Sequence, residues 1–461
     1  MAVQVKLVRR EDSATTGYDV SSISLLSNTN GFDLDYYDGW TQAVPQGLTP
    51  GNLAETLNLI ATGDDKDDLA ANLQGLDDKL KQTEWYWDDP TERYGVWLRA
   101  QLTGESYARQ ALIRRGEGQP GESLYGPYTD RGNVMRRYAL ALERLPWWED
   151  TDITYNSISG TSFGGGIAAA CGTVHGDIPA RCAYTMLNPT DINIDEFWMG
   201  FRNNTRFGVI ANFEPQWECE DGTVLIADTT AGATYMTTTF ATDETMASRF
   251  YVQISDVTAN YSDQRGQFIV LMRAQLSAGA TTTRVRLLDG YSTTASNLRR
   301  QDRVVIDSTE WKLYPLGTVQ IPPLAGLTTL DMFKSYRLLI QAERTSGAGF
   351  LRCDSFILIP IGEGAIYVSN IQNTTNDHRT EIIVSPDGNL SGWTLAESTA
   401  TITNSISPRP QGPYGYTLPV GSGFAIFTGQ SATAHSSFAG VTFACGINMI
   451  ERWRTLRGAD T

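Results

Sequence analysis

Residues 64–81 read DDKDDLAANLQGLDDKLK, and they give the clearest structural signal in the chain. The leucines recur at spacings of four, three and four, which places them on one face of an α-helix: Leu69, Leu73, Leu76 and Leu80. Acidic residues at the start cap the helix, and Lys79 and Lys81 in the last turn suit its dipole. The pattern predicts an amphipathic helix over residues 64–84 that packs on a sheet through its leucines.

Strands flank this helix on both sides. Apolar and polar residues alternate from Val3, and a second extended stretch covers residues 31–45. Alternation returns after the helix in three stretches: residues 96–102, 111–113 and 138–142. The Gly- and Pro-rich residues 116–127 predict a turn. Residues 1–180 are therefore predicted to form a β-sandwich with one docked helix.

Residues 181–364 contain only strand signals. They are separated by Gly, Ser, Thr and Asp at intervals of about 10 to 25 residues, the pattern of an antiparallel sandwich or jelly roll. Residues 365–461 continue as strands and end on Arg452-Trp-Arg454. This last part is either a small third domain or the completion of the first sheet around an inserted jelly roll. The predicted fold class is mainly β, with three parts: 1–180, 181–364 and 365–461.

The net charge and the distribution of apolar residues disfavour some classes of function. The chain has 461 residues, 41% hydrophobic and 19% charged, and a formal net charge of −16. This sign disfavours a protein whose main partner is nucleic acid. There is no apolar run long enough for a membrane span or a secretory signal, so we expect no membrane insertion.

The sequence predicts no metal and no cofactor. The five cysteines are scattered singly and are expected to be buried, reduced thiols, with a Cys171–Cys182 bridge disfavoured. Three distant histidines lack the spacing of a transition-metal site. Calcium at the aspartates of residues 33–38 or 64–68 is also disfavoured, because the expected glycine or glutamate is missing.

Two catalytic motifs occur without the structural context that they need. Residues 160–164 match the G-x-S-x-G nucleophile elbow around Ser162, but no strand–helix alternation surrounds it. Residues 116–121 spell G-x-G-x-x-G, but Pro120 interrupts the motif and no helix begins there. The tryptophans at 85–87 and 147–148 are interpreted as core or interface residues. A non-enzymatic protein is the expectation.

The chain resembles the tail proteins of long-tailed bacteriophages, including distal tail proteins. The residues that carry this resemblance are Asn30–Pro45, the helix at 64–84, Tyr94–Arg99, Arg137–Pro146 and the final Arg452–Arg454. The stretches Trp311–Pro322 and Cys353–Pro360 resemble jelly rolls of the carbohydrate-binding kind, which such proteins carry as insertions. From this resemblance, Trp311 and Tyr314 are candidates for stacking on a glycan.

The resemblance implies a structural virion protein, made in the host cytoplasm and located in the tail. Its partners would be further copies of itself in a ring, commonly a hexamer, and other tail proteins. DNA would only pass through an acidic channel, and a jelly roll facing outward would contact a host-surface glycan or protein. The alternative function is a carbohydrate-binding or glycan-processing protein, which the 11 Trp and 20 Tyr favour.

The basic residues indicate an assembly interface. Only six are lysine and 30 are arginine, whose planar fork suits contacts between proteins. Two groups flank residues 116–127 and are predicted to meet acidic residues of a neighbouring copy: Arg109, Arg114, Arg115, and Arg131, Arg136, Arg137. A solvated turn with charged edges is the competing interpretation.

Overall fold

The computed structural model describes residues 3–11, 19–25, 52–62, 65–88, 94–102, 108–123, 135–151, 154–160, 167–187, 196–203, 216–254, 265–277, 283–292, 294–321, 336–369, 378–384, 390–396, 401–406, 409–411, 418, 420–430 and 443–453. Strands in all four sheets pair antiparallel, and one α-helix lies among the described elements. The predicted fold class, mainly β with a docked helix, is confirmed.

The N-terminal part contains β1 (Val3–Glu11), β2 (Asp19–Leu25), β3 (Leu53–Thr62), α1 (Lys66–Asp88), β4 (Tyr94–Leu102), β5 (Arg109–Ser123), β6 (Met135–Arg144) and β7 (Trp148–Asp150). The strands pair in the order β2-β1-β4-β5-β7, while β6 lies between β5 and β3. Strand β3 has no counterpart in the sequence prediction, and the predicted strand at 31–45 lies outside the described residues.

The helix packs on this sheet as predicted, with corrected limits. Asp65 caps it, because its Oδ1 accepts a hydrogen bond of 2.8 Å from the backbone N–H of Asp68. Leu76 and Leu80 are buried in the core of the sheet, and Leu73 is half-buried at the edge of this core. Because α1 continues to Asp88, the predicted lysines lie before its last turn, which has no basic residue.

The predicted turn at 116–127 is wrong as far as the structure describes it. Residues 116–123 continue β5 and pair with β6, with Gly116 opposite Leu142. The glycine serves packing here, because a Cβ on Gly116 would overlap the side chain of Leu80 on the helix.

Four strands follow: β8 (Thr154–Gly160), β9 (Ile167–Val174), β10 (Ile178–Leu187) and β11 (Glu196–Asn203). The jelly roll comes next in the chain. Its strands are β12 (Gln216–Glu218), β13 (Thr223–Val224), β14 (Thr229–Ala231), β15 (Met236–Phe240), β16 (Glu244–Ile254), β17 (Gly266–Leu276), β18 (Thr283–Gly290), β19 (Arg299–Ile306), β20 (Lys312–Ile321), β21 (Tyr336–Arg344) and β22 (Gly349–Pro360).

The jelly roll consists of two facing sheets. One has the order β14-β15-β22-β17-β20, with β12 also on β22, and the other has the order β13-β16-β21-β18-β19. Phenylalanines and aliphatic residues from both sheets fill the space between them, among them Phe250, Phe268, Leu287, Ile340 and Phe356. The central strands are therefore buried on the face that they turn toward one another.

The chain returns through β23 (Ala365–Ser369), β24 (His378–Val384), β25 (Leu390–Ala396), β26 (Thr401–Ile406), β27 (Arg409–Gln411), β28 (Gly421–Gln430) and β29 (Phe443–Trp453). Strands β23 and β28 pair with β11, and β29 pairs with β7, β8 and β10. A second sandwich core forms between these sheets, with Tyr184, Phe201, Phe427, Ile447 and Met449.

These pairings join residues 365–453 to strands that precede residue 204. The jelly roll is consequently an insertion between β11 and β23, which are direct neighbours in one sheet. The sequence-based domain limit at 180 lies inside β10. In the described part of the chain, no helix combines the length and apolar character that crossing a bilayer requires.

Candidate functional site

One outer face of the jelly roll carries aromatic and charged side chains. Along β22, Leu351 and Cys353 are buried in the core, whereas Phe350, Arg352 and Asp354 are half-buried. Alternate side chains of a strand lie on opposite faces of its sheet. Phe350, Arg352 and Asp354 therefore lie on the face directed away from the jelly-roll core.

Neighbouring strands add to this face. Tyr235 directly precedes β15, Arg273 lies on β17, and Trp311 directly precedes β20. We name six residues the aromatic–arginine surface: Tyr235, Arg273, Trp311, Phe350, Arg352 and Asp354.

The rings on this surface hold the arginines by cation–π contacts. The guanidinium carbon of Arg352 lies 4.7 Å from the ring centroid of Tyr235 and 4.3 Å from that of Phe350. Arg273 lies 5.3 Å from the ring of Trp311. The Tyr235 and Trp311 rings are 5.8 Å apart and tilted by 52°. Such contacts fix the orientation of long side chains that otherwise sample many rotamers.

The two arginines differ in their charge partners. Arg273 Nη1 is 2.9 Å from Asp354 Oδ2, so its charge is balanced within the surface. Among the residues that the structure describes, no carboxylate lies within ion-pair distance of Arg352. The Nε of Arg352 is buried and has no hydrogen-bond partner there. Arg352 is thus the cation of this surface whose charge a ligand anion could balance.

An acidic group lies at one end of the surface. Burial raises the pKa of Glu218, and the nearby carboxylates of Asp354, Glu220 and Asp221 raise it further, against a 2.6 Å hydrogen bond from Gln216. Burial and the same kind of repulsion also raise the pKa of Glu220. Within the described ranges, no three His, Cys, Asp or Glu side chains are grouped so that they could hold a metal ion.

The two residues predicted to stack on a glycan have different positions. Trp311 is half-buried and belongs to the aromatic–arginine surface. Tyr314 is only 4% exposed and lies in the jelly-roll core. Its hydroxyl accepts hydrogen bonds from the backbone N–H groups of Asp307 and Ser308, and donates one of 3.0 Å to Asp307 Oδ1. The ring of Tyr314 is therefore closed to a ligand.

The arginines predicted to form an assembly interface also differ in burial and position. Arg109 is 4% exposed, and its guanidinium stacks on the ring of Trp453 at 4.1 Å within the same chain. Arg114 is half-buried and Arg115 is exposed on β5. Arg136 and Arg137 lie on β6. The side chains of Arg136 and Arg137, and all of Arg131, fall outside the described residues.

A buried ion cluster connects three distant segments of the chain. Glu149 on β7 accepts hydrogen bonds from Arg181 Nε at 3.1 Å and from Arg452 Nε at 2.9 Å, and its second oxygen accepts one from Arg181. Burial alone would raise the pKa of Glu149, but the two guanidinium groups outweigh it and hold the pKa below its usual range. The negative charge of this carboxylate is balanced by the two guanidinium groups, and the cluster stabilises the fold.

The remaining motifs form no second site as far as the described residues extend. Ser162 and His435 lie outside the described residues. The expected core role of Trp147 and Trp148 is confirmed, since both are buried. Four cysteines are buried and form no disulfide, Cys171 and Cys182 among them, and burial raises the pKa of Cys182 to about 12. Such a thiol is unreactive at neutral pH.

Comparison with known proteins gives distant similarities. No protein-family model matches the chain, and neither does any curated protein. A tandem CBM22 domain from Paenibacillus barcinonensis Xyn10C is 11% identical, with 59% of this chain and 99% of that chain covered and a TM-score of 0.19.

Two viral structures have similarly low sequence identities and TM-scores. The phage P2 baseplate in its activated conformation with Ca is 11% identical, with 77% of this chain and 98% of that chain covered and a TM-score of 0.19. The structure of infectious bursal disease virus Gx strain is 9% identical, with 65% of this chain and 81% of that chain covered and a TM-score of 0.18. The chain thus has a loose structural similarity to these proteins.

Proposed function

We propose that the chain is a non-enzymatic structural protein of a phage-like tail, whose inserted jelly roll contacts a glycan on the host surface. The observation that carries this proposal is the aromatic–arginine surface on an inserted module. Half-buried aromatic rings beside fixed polar groups suit sugars, because a sugar presents both apolar C–H faces and hydroxyl groups.

The connection of the jelly roll supports a presenting role. The insertion leaves β11 and returns at β23, and the backbone N–H of Phe201 donates a 3.0 Å hydrogen bond to the carbonyl of Gly364. Both connections therefore lie side by side at the same end of the neighbouring strands β11 and β23. A module attached in this way can face outward while the N- and C-terminal strands form the body of the subunit.

Glycan binding by the full chain tests the proposal. On an array of bacterial surface glycans, we expect specific binding that Trp311→Ala weakens by about fivefold, since an aromatic contact contributes about 1 kcal/mol. Trp393→Ala is the matched control, because Trp393 is also half-buried but lies on β25. Binding to no glycan, or equal losses in the two variants, would contradict the proposal.

A glycan-processing enzyme is the second candidate. The raised pKa of Glu218 beside Asp354 suits a general acid next to a carboxylate. Against it, Asp354 is ion-paired with Arg273. Release of reducing ends from a bound glycan, abolished in Glu218→Gln, would favour the enzyme, whereas binding without release favours the structural role.

A further inference from the structure

We infer that the aromatic–arginine surface binds an anionic glycan, a polymer with a carboxylate or phosphate on its repeating unit, through Arg352. This inference rests on the proposed function, because it names the chemical class of the glycan. It specifies the charge of the glycan. The strand order and the aromatic residues of the chain do not determine this charge.

The first argument is the unbalanced charge of Arg352. Its neighbour Arg273 is matched by Asp354 at 2.9 Å, so this pair attracts neither cations nor anions strongly. Among the described residues Arg352 has no carboxylate partner, and its buried Nε lacks an acceptor. A ligand anion would supply the counter-charge that the described residues do not give Arg352.

The second argument is the orientation of the guanidinium. Tyr235 and Phe350 both contact it, at 4.7 and 4.3 Å, so the plane is held before any ligand binds. A fixed guanidinium presents parallel N–H donors that match the two oxygens of a carboxylate or phosphate. Lysine would supply the charge without this geometry.

The third argument is the asymmetry of the surface. Thr237 and Gln275 flank Arg352 on the adjacent strands β15 and β17, and both are uncharged. Glu218 pairs instead with Ser355, three residues or about 10 Å further along β22. An anionic repeat would therefore be attracted to the Arg352 end and repelled from the Glu218 end, which sets the direction of the bound glycan.

Titration calorimetry with the full chain tests the inference. The probes are trigalacturonate, neutral galactotriose and a glycerol phosphate trimer, so the carboxylate and phosphate sources are distinguished. We expect at least one charged probe to bind about tenfold more tightly than galactotriose. Arg352→Gln should remove this preference, and Arg352→Lys should restore only part of it. Arg284→Gln, an exposed arginine on β18 of the opposite sheet, should leave it unchanged.

The outcomes distinguish loss of the anionic preference from loss of glycan binding itself. Equal binding of neutral and charged probes, unaffected by Arg352→Gln, would overturn the anionic preference and leave glycan binding standing. A charge preference that survives Arg352→Gln would also overturn the inference. Failure of all three probes would overturn it as well, while failure of the whole glycan array is the result that removes the proposed function.

Discussion

Glu149 is the residue whose removal should cost most, because it balances two buried guanidinium groups. Glu149→Gln removes the carboxylate that both Arg181 and Arg452 contact while their guanidinium groups stay buried, and we expect a loss of about 3–5 kcal/mol in the free energy of unfolding. Asp78→Asn is the control, since Asp78 and Lys81 are more than half exposed and such pairs contribute about 0–1 kcal/mol. Urea unfolding measures both; equal small losses would show that the cluster is not structural.

The same residue gives a pH dependence with a definite sign. The pKa of Glu149 is lower in the folded chain than in the unfolded chain. Its contribution to stability is therefore complete above the unfolded value of about 4.5 and is lost as the pH falls through the folded value. Below about pH 4.5, wild type should lose stability more steeply than Glu149→Gln. Parallel pH profiles would contradict this assignment.

The lack of a side chain at Gly200 lets β11 lie close to the end of β22. A Cβ at this position of β11 would overlap the carbonyl oxygen of Pro360 at the end of β22, so Gly200→Ala should force the jelly roll away from the second sandwich. We expect a loss of about 1–3 kcal/mol and faster proteolysis between the two parts. At Gly362 an added Cβ meets nothing within 4 Å, so Gly362→Ala should change stability by less than about 1 kcal/mol. Equal effects would exclude close packing at Gly200.

Elements with a regular period were predictable, and those shaped by tertiary contacts were not. The leucine spacing located α1 because the helix buries one face, and Pro90, two residues after its end at Asp88, is a local stop signal. Residues 116–121 looked like a turn, since only the overlying Leu80 explains Gly116 within a strand. The outer face formed by Phe350, Arg352 and Asp354 was not predicted, because its contact with Tyr235 depends on the pairing of β15 with β22 across more than 100 residues.

At the scale of the whole molecule, the arginine interface now depends on Arg114 and Arg115 of β5, because Arg109 is buried against Trp453. Replacing both with Glu should leave the monomer folded and prevent ring formation at physiological salt, since like charges would meet at a site that loses its water. Arg300→Glu, at an exposed position of β19, should assemble normally. Light scattering compares the masses; full-size rings from the double variant would exclude this surface.

The most direct test of the whole account is immuno-electron microscopy of particles purified from cells that produce the chain, with an antibody against the jelly roll. The account predicts label on the outside of a phage-like tail, because the jelly roll is inserted between neighbouring strands and presents its aromatic–arginine surface. Unlabelled particles, together with recovery of the protein only as a free monomer, would contradict the account.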